Sequence, residues 1–117
     1  MDIHGNETEL IYRLLAAASL RAKVIAGNIA NQNTPGYKRR DVRFDDALHT
    51  ALASGMSIKD IQPEVFVDHD SPARPDGNNV SLENELSAIG RSRLLYETYA
   101  TILAGHFELM RASIEER

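Results

Sequence analysis

Cysteine is absent from the 117-residue sequence. That excludes disulfides and thiolate metal sites and leaves the chain indifferent to redox compartment. Tryptophan is absent as well, and aromatic residues make up only 6%, too few for a thick core built around large rings. No apolar run reaches the ~18 residues that a membrane-spanning helix needs, so membrane insertion is not expected. The opening residues, Met1-Asp2-Ile3-His4-Gly5-Asn6-Glu7, lack a basic stretch followed by an apolar one. No cleavable secretory signal is expected there, and a destination outside the cytoplasm would need another export route. Positive charge is in deficit, with a net charge of −4, which gives no global attraction to nucleic acid or anionic lipid.

What the chain does have is helical periodicity. Hydrophobic residues make up 43%, many of them alanine, and the mean hydropathy is −0.33. Such values fit long helices with narrow seams in a single domain. From Glu7 to Asn31, Ile11, Leu15, Ala18, Ala22, Ile25 and Ile29 recur at spacings 4-3-4-3-4, a heptad seam with small residues at its centre. Leu10, Leu14 and Val24 broaden its apolar face. A helix over 7–31 would be about 37 Å long. Residues 1–6 are polar and are expected to fray.

A second seam starts after Ser81, a candidate N-cap, with Glu83 favoured in the first turn by the helix dipole. Leu82, Leu86, Ile89, Arg93, Tyr96, Ala100, Leu103, Phe107, Met110 and Ile114 follow spacings 4-3-4-3-4-3-4-3-4, interrupted only by Arg93. This helix, 81–114 with its cap, would be about 50 Å long. Gly90 and Gly105 each cost about 1 kcal/mol in a helix interior, so close packing by a neighbour is the expected reason for them. So long an exposed stripe must pair with residues 7–31, with other chains, or with both. The predicted class is all-α: two long terminal helices with coiled-coil seams, forming an antiparallel hairpin.

The section 45–80 between them is weaker. Asp45 can cap a short helix through Ala53 that ends at Ser54-Gly55, with Ala47, Leu48, Ala51 and Leu52 on its apolar face. Pro63, Pro72 and Pro75 then break up the chain. Glu64-Val65-Phe66-Val67 can form one short strand without an obvious partner. The rest reads as polar loop, mobile in the free protein.

The stretch that organises the chain is Asn28-Ile29-Ala30-Asn31-Gln32-Asn33-Thr34-Pro35-Gly36-Tyr37. Asn31 or Asn33 can close the first helix by adopting a left-handed backbone. Pro35-Gly36 suits the centre of a type II turn, where the second position needs positive φ. The turn and basic run, 32–44, continue through Lys38-Arg39-Arg40-Asp41-Val42-Arg43-Phe44. Those charges read first as a solvated loop and secondly as a contact for an acidic neighbouring subunit. The patch is too short, in too acidic a chain, for nucleic acid.

Catalytic and metal chemistry find no foothold. His4, His49, His69 and His106 fall in four separate segments without ligand spacing. Asp68-x-Asp70 starts like a calcium loop, but Pro72 and the missing glycine at the sixth position spoil it. No phosphate loop and no nucleophile set is present. No enzyme activity, cofactor, metal or small-molecule substrate is expected. Asn79-Val80-Ser81 fits a glycosylation acceptor, a tripeptide common by chance.

The pattern Asn28, Ala30, Asn31, Thr34, Pro35, Gly36 and Tyr37 resembles, without departure, the N-terminal signature of the flagellar axial proteins, the rod and hook subunits of the bacterial flagellum. Leu20 to Asn28, Arg40 to Phe44 and Asp76-Gly77-Asn78-Asn79-Val80 are similar to the short proximal rod subunits. The resemblance covers residues 10–48 and 76–114. It implies a structural subunit of the basal-body rod, in the periplasm, polymerising through its terminal helices and required for motility. Implied partners are other rod subunits, further copies of itself, the export-gate adaptor and the flagellar type III export apparatus. The alternative is a soluble helical adaptor or regulator that binds a partner helix. It accounts for the seams but not for the motif.

Overall fold

A computed structural model describes residues 3–115. In chain order the elements are α1 (Ile3–Ala30), β1 (Arg40–Arg43), α2 (Asp45–Ser54), a 3-10 turn (Ile58–Asp60), β2 (Glu64–Val67) and α3 (Leu82–Glu115). α1 begins four residues before the expected Glu7, so Ile3 to Asn6 are helical, while Met1 and Asp2 lie outside the described residues.

α1 and α3 pack antiparallel. The end of α1 meets the start of α3 where Asn28 bonds Glu85, and mid-α1 meets α3 where Ser92 donates to the Ala18 carbonyl at 2.8 Å. The molecule is a narrow slab of 66 × 28 × 14 Å. On α1 the expected seam faces inward: Ile11, Ala18 and Ile25 are buried, and Leu15, Ala22 and Ile29 half-buried.

On α3 the inward face is different from the expected one. Only Glu85 and Ser92 are buried, with Ala88, Ile89, Tyr99, Ala100, Leu103 and His106 half-buried. Leu82, Leu86, Tyr96, Phe107, Met110 and Ile114 stay exposed, Phe107 at 53%. A second apolar row, Leu95, Ile102 and Leu109, is exposed on the other flank. Among the described residues nothing approaches Gly90 or Gly105, where an added Cβ would meet nothing within 4 Å, so packing by those residues is not the reason for either glycine.

The class is mostly helical but not all-α. β1 and β2 form a two-stranded antiparallel sheet, pairing Arg40 with Val67, Asp41 with Phe66, Val42 with Val65 and Arg43 with Glu64. The partner that Glu64–Val67 lacked in the sequence is the basic run. It escapes pattern reading because only Val42 of β1 is buried, so no apolar alternation marks it. The Arg43 guanidinium lies 3.9 Å from the Phe66 ring centroid, a cation–π contact across the ladder.

α2 packs on the N-terminal half of α1. Ala17, Phe44 and Leu48 form the buried core, with Leu10, Leu14, Ile58 and Ile61 around it. Burying Phe44 contributes about 1.5–3 kcal/mol. Leu48 and Ala51 face the core, whereas Ala47 and Leu52 are exposed. Asp45 is not the N-cap. Phe44 holds that position without a side-chain cap bond, because its ring is drawn into the core and sets where the helix can start. Asp45 sits in the first turn and pairs with Arg21 at 3.0 Å. Gly55 ends α2 in the left-handed region, and Ser81 Oγ caps α3 by accepting from the Asn84 amide at 3.3 Å.

Candidate functional site

α1 stops without a left-handed asparagine. Among the described residues positive φ belongs to Gly36, Gly55 and Gly77 alone. Asn31 instead turns its side-chain amide back onto the Gly27 carbonyl at 2.9 Å, which also accepts the Asn31 backbone amide at 3.1 Å, so one residue closes the last turn of the helix twice. Its Oδ1 receives the Thr34 hydroxyl at 3.1 Å. The next four residues close a turn: the Tyr37 amide donates to the Thr34 carbonyl at 3.2 Å, and Gly36 has φ 75. That is the type II geometry expected of Pro35-Gly36.

Asn28 is fully buried and uses its whole hydrogen-bonding capacity. Its Nδ2 donates to the Arg40 carbonyl at 2.8 Å and to Glu85 Oε2 at 3.2 Å. Its Oδ1 accepts from the Arg40 amide at 2.9 Å and from the Tyr37 hydroxyl at 3.1 Å. One side chain thus caps the free edge of β1 as a further strand would, while tying α1 to α3. Of the motif residues, Asn28, Asn31, Thr34 and Tyr37 meet in this network, and Pro35 and Gly36 shape its turn. Ala30, Pro35 and Gly36 are exposed.

A second turn docks on the first. Gly77, with φ 88, faces Gly36, and the Gly36 amide donates to the Asp76 carbonyl at 2.8 Å. Buried Asn78 donates to the carbonyls of Asn31 and Thr34, both at 2.9 Å. Asn79 accepts from the Arg39 amide at 2.6 Å and donates to the Asp68 carbonyl at 2.8 Å. Lys38 bonds the Gly77 carbonyl, and Arg74 bonds the carbonyls of Gln32 and Val80. The segment Asp76–Val80, read from sequence as a separate likeness, is physically part of the same site.

Arg39 is the electrostatic centre. Its Nε reaches Glu85 Oε1 and its Nη1 reaches Asp68 Oδ2, each at 2.8 Å, with Asp41 at 3.4 Å. Burial works to lower the Arg39 pKa, but the bonds to Glu85 and Asp68 and the nearby negative charge more than offset it and hold the guanidinium firmly protonated. The Ser71 hydroxyl and Arg39 hold the Asp68 carboxyl well below the usual carboxylate range. Asp68 also accepts the amides of Asp70 and Ser71, so the calcium-like start is a closed local turn.

The basic run is therefore not a solvated loop. Lys38 and Arg39 are engaged inside the chain, and Arg43 lies on Phe66. Glu85 and Asp68 were missed by sequence reading. The available signal for Glu85 was a second 4-3 series, Glu85, Ile89, Ser92, Tyr96, Tyr99, Leu103 and His106, beside the apolar one. The four histidines do not converge: His49 and His69 are exposed on separate segments, His106 is half-buried on α3, and the side chain of His4 lies outside what is described. Among the described residues no group of three or more His, Asp or Glu could hold a metal ion, and no helix is long and apolar enough to cross a membrane.

Residues 15–38, which run through the helix stop and the turn, match the family model described as flagella basal body rod protein. The chain is 31% identical over 135 aligned positions to the flagellar basal body rod protein FlgB of Borrelia hermsii, covering 98% of this chain and all of that one. It is 34% identical to FlgB of Aquifex aeolicus over 83% of each chain, and 27% identical to FlgB of Escherichia coli over 77% of this chain and 79% of that one. With the motif, the turn that docks on it and 98% of the chain covered by a relative 31% identical to it, the protein belongs to the FlgB family of flagellar basal body rod proteins.

Proposed function

We propose that this structural rod subunit joins its neighbours through the exposed apolar faces of α3, with the Asn28–Tyr37 motif fixing the direction in which the chain leaves α1. The observation that carries this is the lack of cover on α3. On a 34-residue helix, Leu86, Leu95, Ile102, Phe107, Leu109 and Ile114 are all more than 40% exposed. Exposed apolar rows of that kind mark interaction sites, and covering them couples ordering to assembly.

The partners on this reading are other rod subunits, further copies of the chain, and the adaptor at the export gate. The route on this reading is the flagellar type III apparatus, to the periplasmic rod. Together α1 and α3 would supply coiled-coil seams to the assembled wall. The test compares Phe107→Asp with Leu103→Asp. Phe107 is half-exposed, so its variant should be exported and folded normally yet fail to enter the rod. Leu103 faces α1, so its carboxylate should unfold the hairpin itself. Secreted and rod-incorporated protein are measured separately. Normal incorporation of Phe107→Asp would overturn the reading.

A further inference from the structure

α3 carries two faces with the same heptad spacing, and the chain buries the more polar one. Leu82, Leu86 and Ile89 would give α1 an apolar surface. The face that docks instead presents Glu85, Ile89 and Ser92. Glu85 and Leu86 are successive residues, so they lie about 100° apart around the helix axis. A bare carboxylate is among the last groups expected in such a seam, yet Glu85 is 2% exposed while Leu86 is 53% exposed.

Both oxygens of that carboxylate are held. Arg39 Nε donates to Oε1 at 2.8 Å and Asn28 Nδ2 to Oε2 at 3.2 Å, while Ser92 Oγ donates to the Ala18 carbonyl at 2.8 Å. Arg39 is itself pinned, by Asp68 through its side chain and by Asn79 through its amide. We propose that the Arg39–Glu85–Asn28 lock selects which face of α3 docks on α1, and so determines which apolar row is left outward. A buried polar group that chooses one of two near-equivalent packings is a known device of helix pairs. That Leu82 and Leu86 are then offered to a neighbouring subunit rests on the assembly reading above; the choice of face does not.

The test is made on the isolated, dilute full-length chain, so it does not depend on rod formation. The chain has no cysteine of its own, which makes a Leu86→Cys reporter unique. With Arg39 intact the thiol should label nearly as fast as in urea. Arg39→Met strands the carboxylate of Glu85, so α3 should turn to expose it and bury position 86, with helix content by circular dichroism retained. Labelling should then slow by about tenfold or more, because a local opening must precede reaction. Adding Glu85→Leu to Arg39→Met makes the original face apolar, and fast labelling should return. Unchanged or faster labelling in Arg39→Met with helicity retained would overturn the proposal, as would failure of the double variant to recover. If Arg39→Met loses its helices, Arg39→Lys decides. Lysine keeps the charge but lacks the two separate donor atoms, Nε and Nη1, that reach Glu85 and Asp68, so labelling should slow partially, and a wild-type rate would overturn the proposal.

Discussion

Gly77 meets Gly36 backbone to backbone: a Cβ on Gly77 would stand 3.3 Å from the Gly36 Cα. The reverse is not true, since a Cβ on Gly36 would meet nothing within 4 Å. The two left-handed turns are therefore unequal in what they tolerate, although their φ values, 75 and 88, are alike.

Gly36→Ala should cost only the left-handed penalty, about 1–2 kcal/mol. Gly77→Ala should cost that plus about 1 kcal/mol or more for forcing two backbones apart. Urea unfolding of each variant measures the difference, and equal losses would contradict it. By the same geometry Gly36→Asn should swim better than Gly36→Val, whose β-branch is a true outlier at this φ. Thr34→Ser keeps the hydroxyl that reaches Asn31 and should be silent.

Asn28→Ala should destabilise by roughly 2–4 kcal/mol, because it leaves the Arg40 amide and carbonyl and one oxygen of Glu85 without a partner in a buried place. Asn28→Asp should be no milder despite its matching shape. It replaces a donor with an acceptor that faces both the Arg40 carbonyl and Glu85. Thermal unfolding of the two variants would check this, and a near-neutral Asn28→Asp would show that the donor to Glu85 is dispensable.

Acid should weaken this fold partly through Asp68. Its folded pKa is held down by Ser71 and Arg39, so the unfolded chain binds the proton more readily. The contribution is present above about pH 4 and is lost as pH falls through the folded pKa. Asp68→Asn should therefore differ from wild type by on the order of 1–2 kcal/mol at pH 7, with the gap closing towards pH 2. Urea midpoints across that range report it, and a constant gap would place the effect elsewhere than in the charge.

Gly90→Ala and Gly105→Ala should each stabilise the isolated chain by up to about 1 kcal/mol, since both sit in a helix interior with open space around them. If neighbouring subunits approach closely there, rod incorporation should fall while chain stability rises. Higher stability with undiminished incorporation would remove subunit packing as the reason for these glycines.

Local chemistry made part of this structure legible beforehand. Pro35-Gly36 dictates its own turn, and in α1 the heptad spacing of Ile11, Ala18 and Ile25 coincides with buried positions. The docking face of α3 was not legible from its own residues. Two frames share Ile89, Tyr96 and Leu103, and the choice between them is made by Arg39, which is more than 40 positions away in the chain. β1 was hidden for a related reason: Arg40-Asp41-Val42-Arg43 looks solvated until Asn28 is seen on one edge and β2 on the other. The cap of α2 was misread because burial of Phe44 outweighs the modest gain of an aspartate cap.

Most of the polar fastenings described above gather at one end of the 66 Å slab, around Asn28, Arg39, Gly77 and Glu85, with Ser92 bonding Ala18 nearer its middle, while among the described residues no side-chain hydrogen bond joins α1 to α3 beyond that point. Mechanically this is a pair of tweezers. A lateral load on the open tips acts through a long arm on a stiff, hydrogen-bonded pivot, so the tips should splay while the pivot keeps its geometry. If subunits pack side by side as proposed above, their wall would flex tip by tip while each chain kept the angle at which it turns out of the helix.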